Sequence, residues 1–286
     1  SRHGIDRGKF PFSLGNLVTF LLLYLVAGVI LWTRAGPWEA VRHTIVNGGI
    51  VAAWLGVSAW ILKNEPVPEP IPLRHPRLEL AWGFAAYGLV VSVAAAGYMG
   101  WLSQARWLFL AAFYGPLILL YAIMRYPRRA IGLSWPSRRG WLALLAVILV
   151  NVLASAVFTM VPPGEVKAAA AADLSTQMTG LRAVLMMVLS VLVVAAIPEE
   201  LLFRVTLLPR LARFIPVGWA ILAQALLFSL GHLPQQVLRN QEPFLLAAAY
   251  LMTIDNGLIG GYLWYRTRSL PLLLVLHLFA YIRFGI

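Results

Sequence analysis

The sequence predicts an all-α fold, a polytopic transmembrane helix bundle of about eight to nine spans. Two observations carry this expectation. The 286 residues are 60% apolar and only 12% charged, with a mean hydropathy of +0.79, which is too little polar surface to coat a water-soluble fold of this size. The apolar residues also fall into runs long enough to cross a hydrocarbon core of roughly 30 Å, which takes about 20 residues of helix.

Nine such runs lie near 14–33, 44–62, 79–102, 106–124, 140–161, 182–206, 217–238, 243–265 and 269–285. Between the second and third, KNEPVPEPIPLRHPRLE carries prolines that preclude helix, so an extended surface linker is expected there. The polar joint RYPRRAIGLSWPSRR at 125–139 divides an N-terminal four-helix membrane region, residues 1–124, from a C-terminal block, residues 125–286. Trp and Tyr near several span ends suit interfacial belts.

The 23 Lys and Arg outnumber the 11 Asp and Glu. In a soluble chain such a surplus raises nucleic-acid binding, but in a membrane chain it marks cytoplasmic loops, and no nucleic-acid partner is expected. With the N-terminus inside, fifteen Lys and Arg fall on the inner side and seven outside, Arg204 being set aside as intramembrane. This bias predicts a cytoplasmic N-terminus and an outer C-terminus. The absence of cysteine removes disulfides, thiolate catalysis and cysteine metal sites. The chain begins at Ser1, consistent with removal of an upstream segment, and no secretory signal is recognisable.

Ionised side chains inside hydrocarbon cost several kcal/mol, about 2.5–3.5 on insertion scales, so they persist where they are paired, hydrated or needed. The sixth run reads VLVVAAIPEELLFRVTLLPRL. Glu200 and Arg204 are four apart and stack on one helix face, whereas Glu199 is rotated by about 100°. One carboxylate is thus held by arginine and the other left free to accept a proton. A plain alternative is an interfacial Glu and Arg cluster that caps a helix end. His232 ends FSLGH in the seventh run and His277 lies in LPLLLVLHLFAY in the ninth; each alone is more often a packing residue than a catalyst. Three helices each giving an acid or an imidazole are harder to set aside. Asp255 and Asn256 in the eighth run extend the polar interior or pair with a neighbouring helix, and Gly257 and Gly261, spaced GxxxG, favour close helix packing.

These residues resemble the CPBP (Abi) family of type II CAAX prenyl endopeptidases and bacteriocin-processing intramembrane proteases. The EExxxR motif stands as EELLFR from Glu199 to Arg204, and FxxxH as FSLGH from Phe228 to His232. The third motif begins at His277 but has Tyr281 where the family has Asn or Asp, and GGYLWYRTRSLPLLLVLH is similar to the family's glycine-containing helix, basic turn and final helix. The likeness covers residues 125–286, a CPBP-like intramembrane protease domain. It implies a glutamate-dependent intramembrane endopeptidase in which Glu199 activates water, Glu200 and His232 help to position it, and Arg204 holds the acidic pair. His277 would contribute to the oxyanion site, with Tyr281 or Asn256 replacing the missing donor.

The altered position leaves two readings open: an active peptidase on a peptide or lipidated-protein substrate, or a catalytically impaired member acting as a scaffold or subunit of a membrane protein complex. A transporter ranks below both, since no inverted repeat of helix-breaking segments is evident. Two histidines and two glutamates are of the type that bind a divalent metal, but neither HExxH nor a short ligand pair is present, so no cofactor is predicted. Membrane lipids are the expected surroundings, in a prokaryotic cytoplasmic membrane. One tension remains: with these boundaries Glu199 and His232 each come late in oppositely directed spans, which separates them in depth by on the order of 10 Å, whereas the family reading requires near contact.

Overall fold

The computed structural model describes residues 10–35, 37–101, 105–159, 181–239 and 243–284. Among these residues there is helix and no strand. The helices are α1 (Leu14–Ala35), α2 (Pro37–Leu62), α3 (Pro76–Tyr98), α4 (Ala105–Ile123), α5 (Arg138–Thr159), α6 (residues 181–211), α7 (Val217–Arg239), α8 (Pro243–Thr267) and α9 (Leu270–Phe284). Each corresponds to one of the nine apolar runs. Two, Pro76–Tyr98 and Val184–Leu211, are long and apolar enough to cross a membrane, and five shorter apolar stretches accompany them. Arg2, Arg7, Lys9 and Lys167 lie outside the described residues, as does the side chain of Tyr281.

Chemistry at the helix ends explains where two elements begin. The proline-rich linker stays non-helical through His75, and α3 then starts with Pro76 in its first turn. A proline there gives up no intrahelical bond, because the first four N–H groups have no partner in any helix. The joint at 125–139 folds into a short 3-10 turn, Arg128–Ile131, closed by Gly132 at φ +76°. A Cβ on Gly132 would sit 2.4 Å from the Trp264 ring, so this turn can rest on α8 only with glycine there. The Leu270 amide then donates to the Gly132 carbonyl at 2.9 Å and ties the joint to the α8–α9 turn.

Helix α6 is irregular. It runs as α-helix over Leu181–Val191, π-helix over Leu192–Ala196, a short α stretch Ile197–Glu199, π-helix again over Glu200–Leu207, and α-helix over Leu208–Leu211. Each π stretch precedes a proline, Pro198 or Pro209. A proline has no N–H and its ring pushes away the carbonyl four residues earlier, which loosens the ladder just upstream. Side chains take the released carbonyls. The Tyr114 hydroxyl of α4 donates to the Val193 carbonyl at 2.7 Å, and Arg210 Nη1 donates to those of Val205 and Thr206 at 3.2 and 2.9 Å. Glu199 therefore lies between the two widened stretches and Glu200 opens the second, the first stretch being braced by Tyr114 of α4 and the second by Arg210 from the end of α6 itself.

One hydrophobic cluster extends from Val51 on α2 to Leu276 on α9, so the N-terminal helices and the C-terminal block share a core. A buried ion pair fastens α3 to α6: Arg210 Nη2 donates to Glu79 Oε2 at 2.8 Å, both side chains being inaccessible to solvent. The same carboxylate accepts from the Tyr126 hydroxyl (2.7 Å) and from the Arg74 and His75 amides (3.0 and 2.9 Å). Sequence reading put Arg210 and Arg266 among the inner-loop cations, and the structure corrects this: both are buried helix residues. Arg266 donates to the Leu62 and Glu65 carbonyls at the end of α2, where orphan carbonyls favour a cation.

The GxxxG reading of α8 agrees with the packing. A Cβ on Gly257 would meet Ala225 Cα at 2.7 Å and one on Gly261 would meet Gln224 Nε2 at 2.6 Å. Gln224 Nε2 donates across this contact to the Gly257 carbonyl at 2.6 Å.

Candidate active site

Glu199 and Glu200 on α6, His232 on α7, Asn256 on α8 and His277 on α9 border one cavity of about 230 Å³, and Tyr98 and Phe109 of the N-terminal helices complete its wall. The expected depth mismatch between Glu199 and His232 does not arise, because α6 continues to Leu211 instead of ending near 206. Counted from the turn that joins α6 to α7, Glu199 is twelve residues back and His232 fifteen residues on. At a rise of 1.5 Å per residue these are depths of about 18 and 23 Å, close enough for the two side chains to face each other.

The two carboxylates have different surroundings. Glu200 is engaged at both oxygens: His277 Nδ1 donates to Oε1 at 2.9 Å, and Arg204 Nε forms an ion pair with Oε2 at 3.3 Å, although neither Oε2 nor Nε makes a hydrogen bond among the described residues. The four-residue spacing of Glu200 and Arg204 thus gives the expected pair. Arg204 is itself confined, donating from Nη2 to the Asn256 carbonyl at 3.2 Å and lying 4.2 Å from the centroid of the Phe228 ring, a cation–π contact. Gly260 makes room for it, since a Cβ there would lie 3.2 Å from Nε and Nη2. With the guanidinium against it, the Glu200 carboxylate is compensated where it is buried.

Glu199 lacks such a clamp. Its Oε1 is 3.9 Å from His232 Nε2 and its Oε2 is 3.7 Å from His277 Nε2. Both distances exceed a hydrogen bond, and Oε2 is buried with no hydrogen-bond partner among the described residues. The tautomers follow from the other ring nitrogens. His232 Nδ1 is 2.8 Å from the Phe228 carbonyl, which can only accept, so Nδ1 carries the proton and Nε2 is left toward Glu199. His277 Nδ1 donates to Glu200 and likewise leaves Nε2 toward Glu199. A water at about 2.8 Å from two atoms 3.9 Å apart makes two good hydrogen bonds at nearly a right angle. The site therefore offers one unclamped carboxylate, two imidazole nitrogens and space for water between them. Among the described residues, no group of three or more His, Asp or Glu takes a metal-holding arrangement.

Seven of the residues singled out in the sequence meet here: Glu199, Glu200, Arg204, Phe228, His232, Asn256 and His277. Asp255 does not join them. It is one residue, about 100° of helix, from Asn256, and instead accepts from the Tyr24 hydroxyl of α1 in a buried bond, which makes it a structural tie. Tyr281 falls on α9, but its side chain lies outside the described residues. Sequence reasoning missed Gly260, Tyr98 and Phe109. Gly260 stands beside the GxxxG glycine, whereas nothing in the first four helices marks the two aromatic residues for this site.

No curated protein and no solved structure matches the chain. A family model described as Type II CAAX prenyl endopeptidase Rce1-like matches residues 181–282, the stretch from the start of α6 almost to the end of α9 that supplies both glutamates, Arg204 and both histidines. This match agrees with the resemblance to the CPBP family read from the motifs, over the residues that carry them.

Proposed function

We propose that the chain is a multi-spanning membrane endopeptidase that uses Glu199 as general base to hydrolyse a peptide bond at or within the membrane. The observation that carries this reading is the contrast within the acidic pair: Glu200 is held by Arg204 and His277, whereas Glu199 faces two imidazole nitrogens across water-sized gaps on the cavity wall. In this mechanism Glu199 takes a proton from a water held against His232 Nε2. The resulting hydroxide attacks the scissile carbonyl carbon, and the carbonyl π pair moves onto oxygen. The Asn256 carboxamide, whose residue borders the same cavity, donates to that oxyanion, a contact worth several kcal/mol of barrier, about 3–4 by analogy with other oxyanion donors. Collapse breaks the C–N bond, and the proton held by Glu199 goes to the departing amine. Products are one carboxylate and one amine, and no further reactant is needed.

Nine apolar runs in the sequence, with two helices long and apolar enough to cross a membrane among the described residues, support the membrane setting, and the Lys and Arg bias favours a cytoplasmic N-terminus in a prokaryotic cytoplasmic membrane. The substrate is a membrane-associated peptide or lipidated protein. Tyr281, standing where the family carries an amide or acid, favours a second reading, that of a catalytically impaired subunit of a membrane complex. Purification of the full chain from its native membrane separates the two. Peptidase activity that is lost in Glu199→Ala and in His232→Ala supports the enzyme. Stoichiometric co-isolation with other proteins, together with function that survives both substitutions, supports the subunit.

A further inference from the structure

The turn between α8 and α9 carries a cation whose donors are unmet. Arg268 stands at φ +47°, in the left-handed region where glycine is at ease and a residue with a Cβ is strained. Its backbone is fixed there: the amide donates to the Trp264 carbonyl at 2.9 Å, and the carbonyl accepts from the Ser134 hydroxyl at 3.0 Å. Ser269 Oγ donates in turn to the Ser134 carbonyl at 2.9 Å, so the 125–139 joint is tied to this turn from both sides. The guanidinium lies 5.5 Å from the centroid of the Trp264 ring. Among the described residues it donates no hydrogen bond and meets no carboxylate, and Nε and Nη1 are closed off from solvent. Burial pulls its pKa down from 12.5 to about 10, the direction expected of a cation with no acid beside it. A guanidinium has five N–H donors, and leaving them unmade where water is excluded is costly. The residue as a whole is only partly buried, so the fork is reached from the surface along its Nη2 edge.

We infer that the turn around Arg268 binds the phosphate of an anionic phospholipid headgroup, with the Arg268 guanidinium as the central donor and the arginines of the joint as the surrounding charge. The inference rests on the membrane setting and is independent of Glu199. Chemistry comes first: a planar fork with unmet N–H groups matches two phosphate oxygens, Nη2 giving one bond and its neighbour on the fork the other. Charge comes second. The joint RYPRRAIGLSWPSRR holds five arginines and no acid, and only Arg139 has an acidic partner, Glu65 at 3.9 Å. Arg128, Arg129 and Arg138 are exposed, and residues 132–134 between them lie directly on the Arg268 turn. Level comes third. The turn lies where α8 ends at Thr267, α9 begins at Leu270 and α5 begins at Arg138, so it sits at the ends of apolar helices. Trp135 beside it is 78% exposed and packs on Trp141 with ring centroids 5.6 Å apart, as indoles do at headgroup depth. The Lys and Arg bias puts this end on the cytoplasmic side, where the leaflet is rich in anionic lipid.

The test uses the purified full chain in phosphatidylcholine nanodiscs, with and without phosphatidylglycerol. Recovery of the chain with the nanodisc fraction tests the membrane setting by itself. Retained lipid is read by native mass spectrometry, and stability by the thermal unfolding midpoint. Wild type is expected to keep phosphatidylglycerol over phosphatidylcholine by about tenfold, with a midpoint that rises as the phosphatidylglycerol fraction grows. Arg268→Gly suits the backbone of the turn, so in pure phosphatidylcholine its midpoint should equal or exceed that of wild type, while the lipid preference falls about fivefold or more. Arg268→Lys keeps the charge and loses the fork; its preference should fall between the two, and it tests the site should the glycine variant not fold. Arg213→Gln removes an exposed cation from the α6–α7 turn and should leave the preference within about twofold of wild type. Undiminished preference in Arg268→Gly and Arg268→Lys, or a loss in Arg213→Gln as large as theirs, overturns the site. A separate arm titrates inorganic phosphate into phosphatidylcholine nanodiscs at constant ionic strength. An unchanged midpoint supports the lipid headgroup. A rise that matches the effect of phosphatidylglycerol and is lost in Arg268→Gly overturns the lipid as the source of the phosphate.

Discussion

Arg210→Met should destabilise the protein far more than loss of an ordinary ion pair. Glu79 and Arg210 are both fully buried, their charged atoms are 2.8 Å apart, and the carboxylate also accepts from Tyr126 and two backbone amides. Methionine fills most of the arginine's volume but leaves the carboxylate in the interior without its cation. Breaking one side of a buried pair costs about 3–5 kcal/mol. At about 2–4 °C per kcal/mol, that is a fall of about 6–20 °C in the unfolding midpoint. The assay is thermal unfolding of the purified chain in detergent micelles. Glu79→Leu combined with Arg210→Met should recover part of the loss, because no charge is then stranded. Recovery should be incomplete, since the Arg74 and His75 amides lose their acceptor. A loss below about 1 kcal/mol for Arg210→Met, the range of solvent-exposed pairs, would refute the view that this pair clamps α3 to α6.

Three further outcomes follow from single contacts. Gly260→Ala places a methyl 3.2 Å from the Arg204 guanidinium; a displacement of a few tenths of an ångström beside Glu200 should lower kcat by about three- to tenfold, with little change in the unfolding midpoint. Tyr24→Phe removes the donor to buried Asp255 and should cost about 1–3 kcal/mol of stability, read by thermal unfolding with no change in KM. Burial and the hydrogen bond to Glu79 push the Tyr126 phenol from 10.0 up to about 12. Between pH 10 and 12 the folded chain therefore holds a proton that the unfolded chain has lost, so its stability contribution falls as pH rises through that window. Tyr126→Phe should flatten that fall in a pH series of unfolding midpoints.

Much of the site was legible in the sequence because its chemistry is local. Glu200 and Arg204 are one helical turn apart, and a glutamate pair in an apolar run is conspicuous where ionised groups are costly. The histidines stood out for the same reason, and the order of EELLFR, FSLGH and the final histidine supplied the family. The α6–α7 end was misjudged because LLPRL looks like an exit from the membrane, with a proline and an arginine together. In the folded chain Arg210 turns inward to Glu79, 131 residues away, a partner that no local pattern reveals. The two π stretches were hidden too, although the prolines that loosen the ladder were visible; whether a helix breaks, kinks or widens depends on who takes the freed carbonyls, here Tyr114 and Arg210. The Arg268 turn was the least legible feature, since Arg268 reads as one more loop cation until the 125–139 joint packs against it.

The account depends most on Glu199 as the group that takes the proton from water. The direct measurement is kcat of Glu199→Gln on a peptide that wild type cleaves, with the unfolding midpoint measured on the same preparation. Glutamine keeps the shape and removes the basic oxygen, so the account predicts a fall in kcat of about 10²- to 10⁴-fold with a midpoint close to that of wild type. A Glu199→Gln protein that cleaves within about twofold of the wild-type rate, a barrier change under about 0.5 kcal/mol, would contradict it.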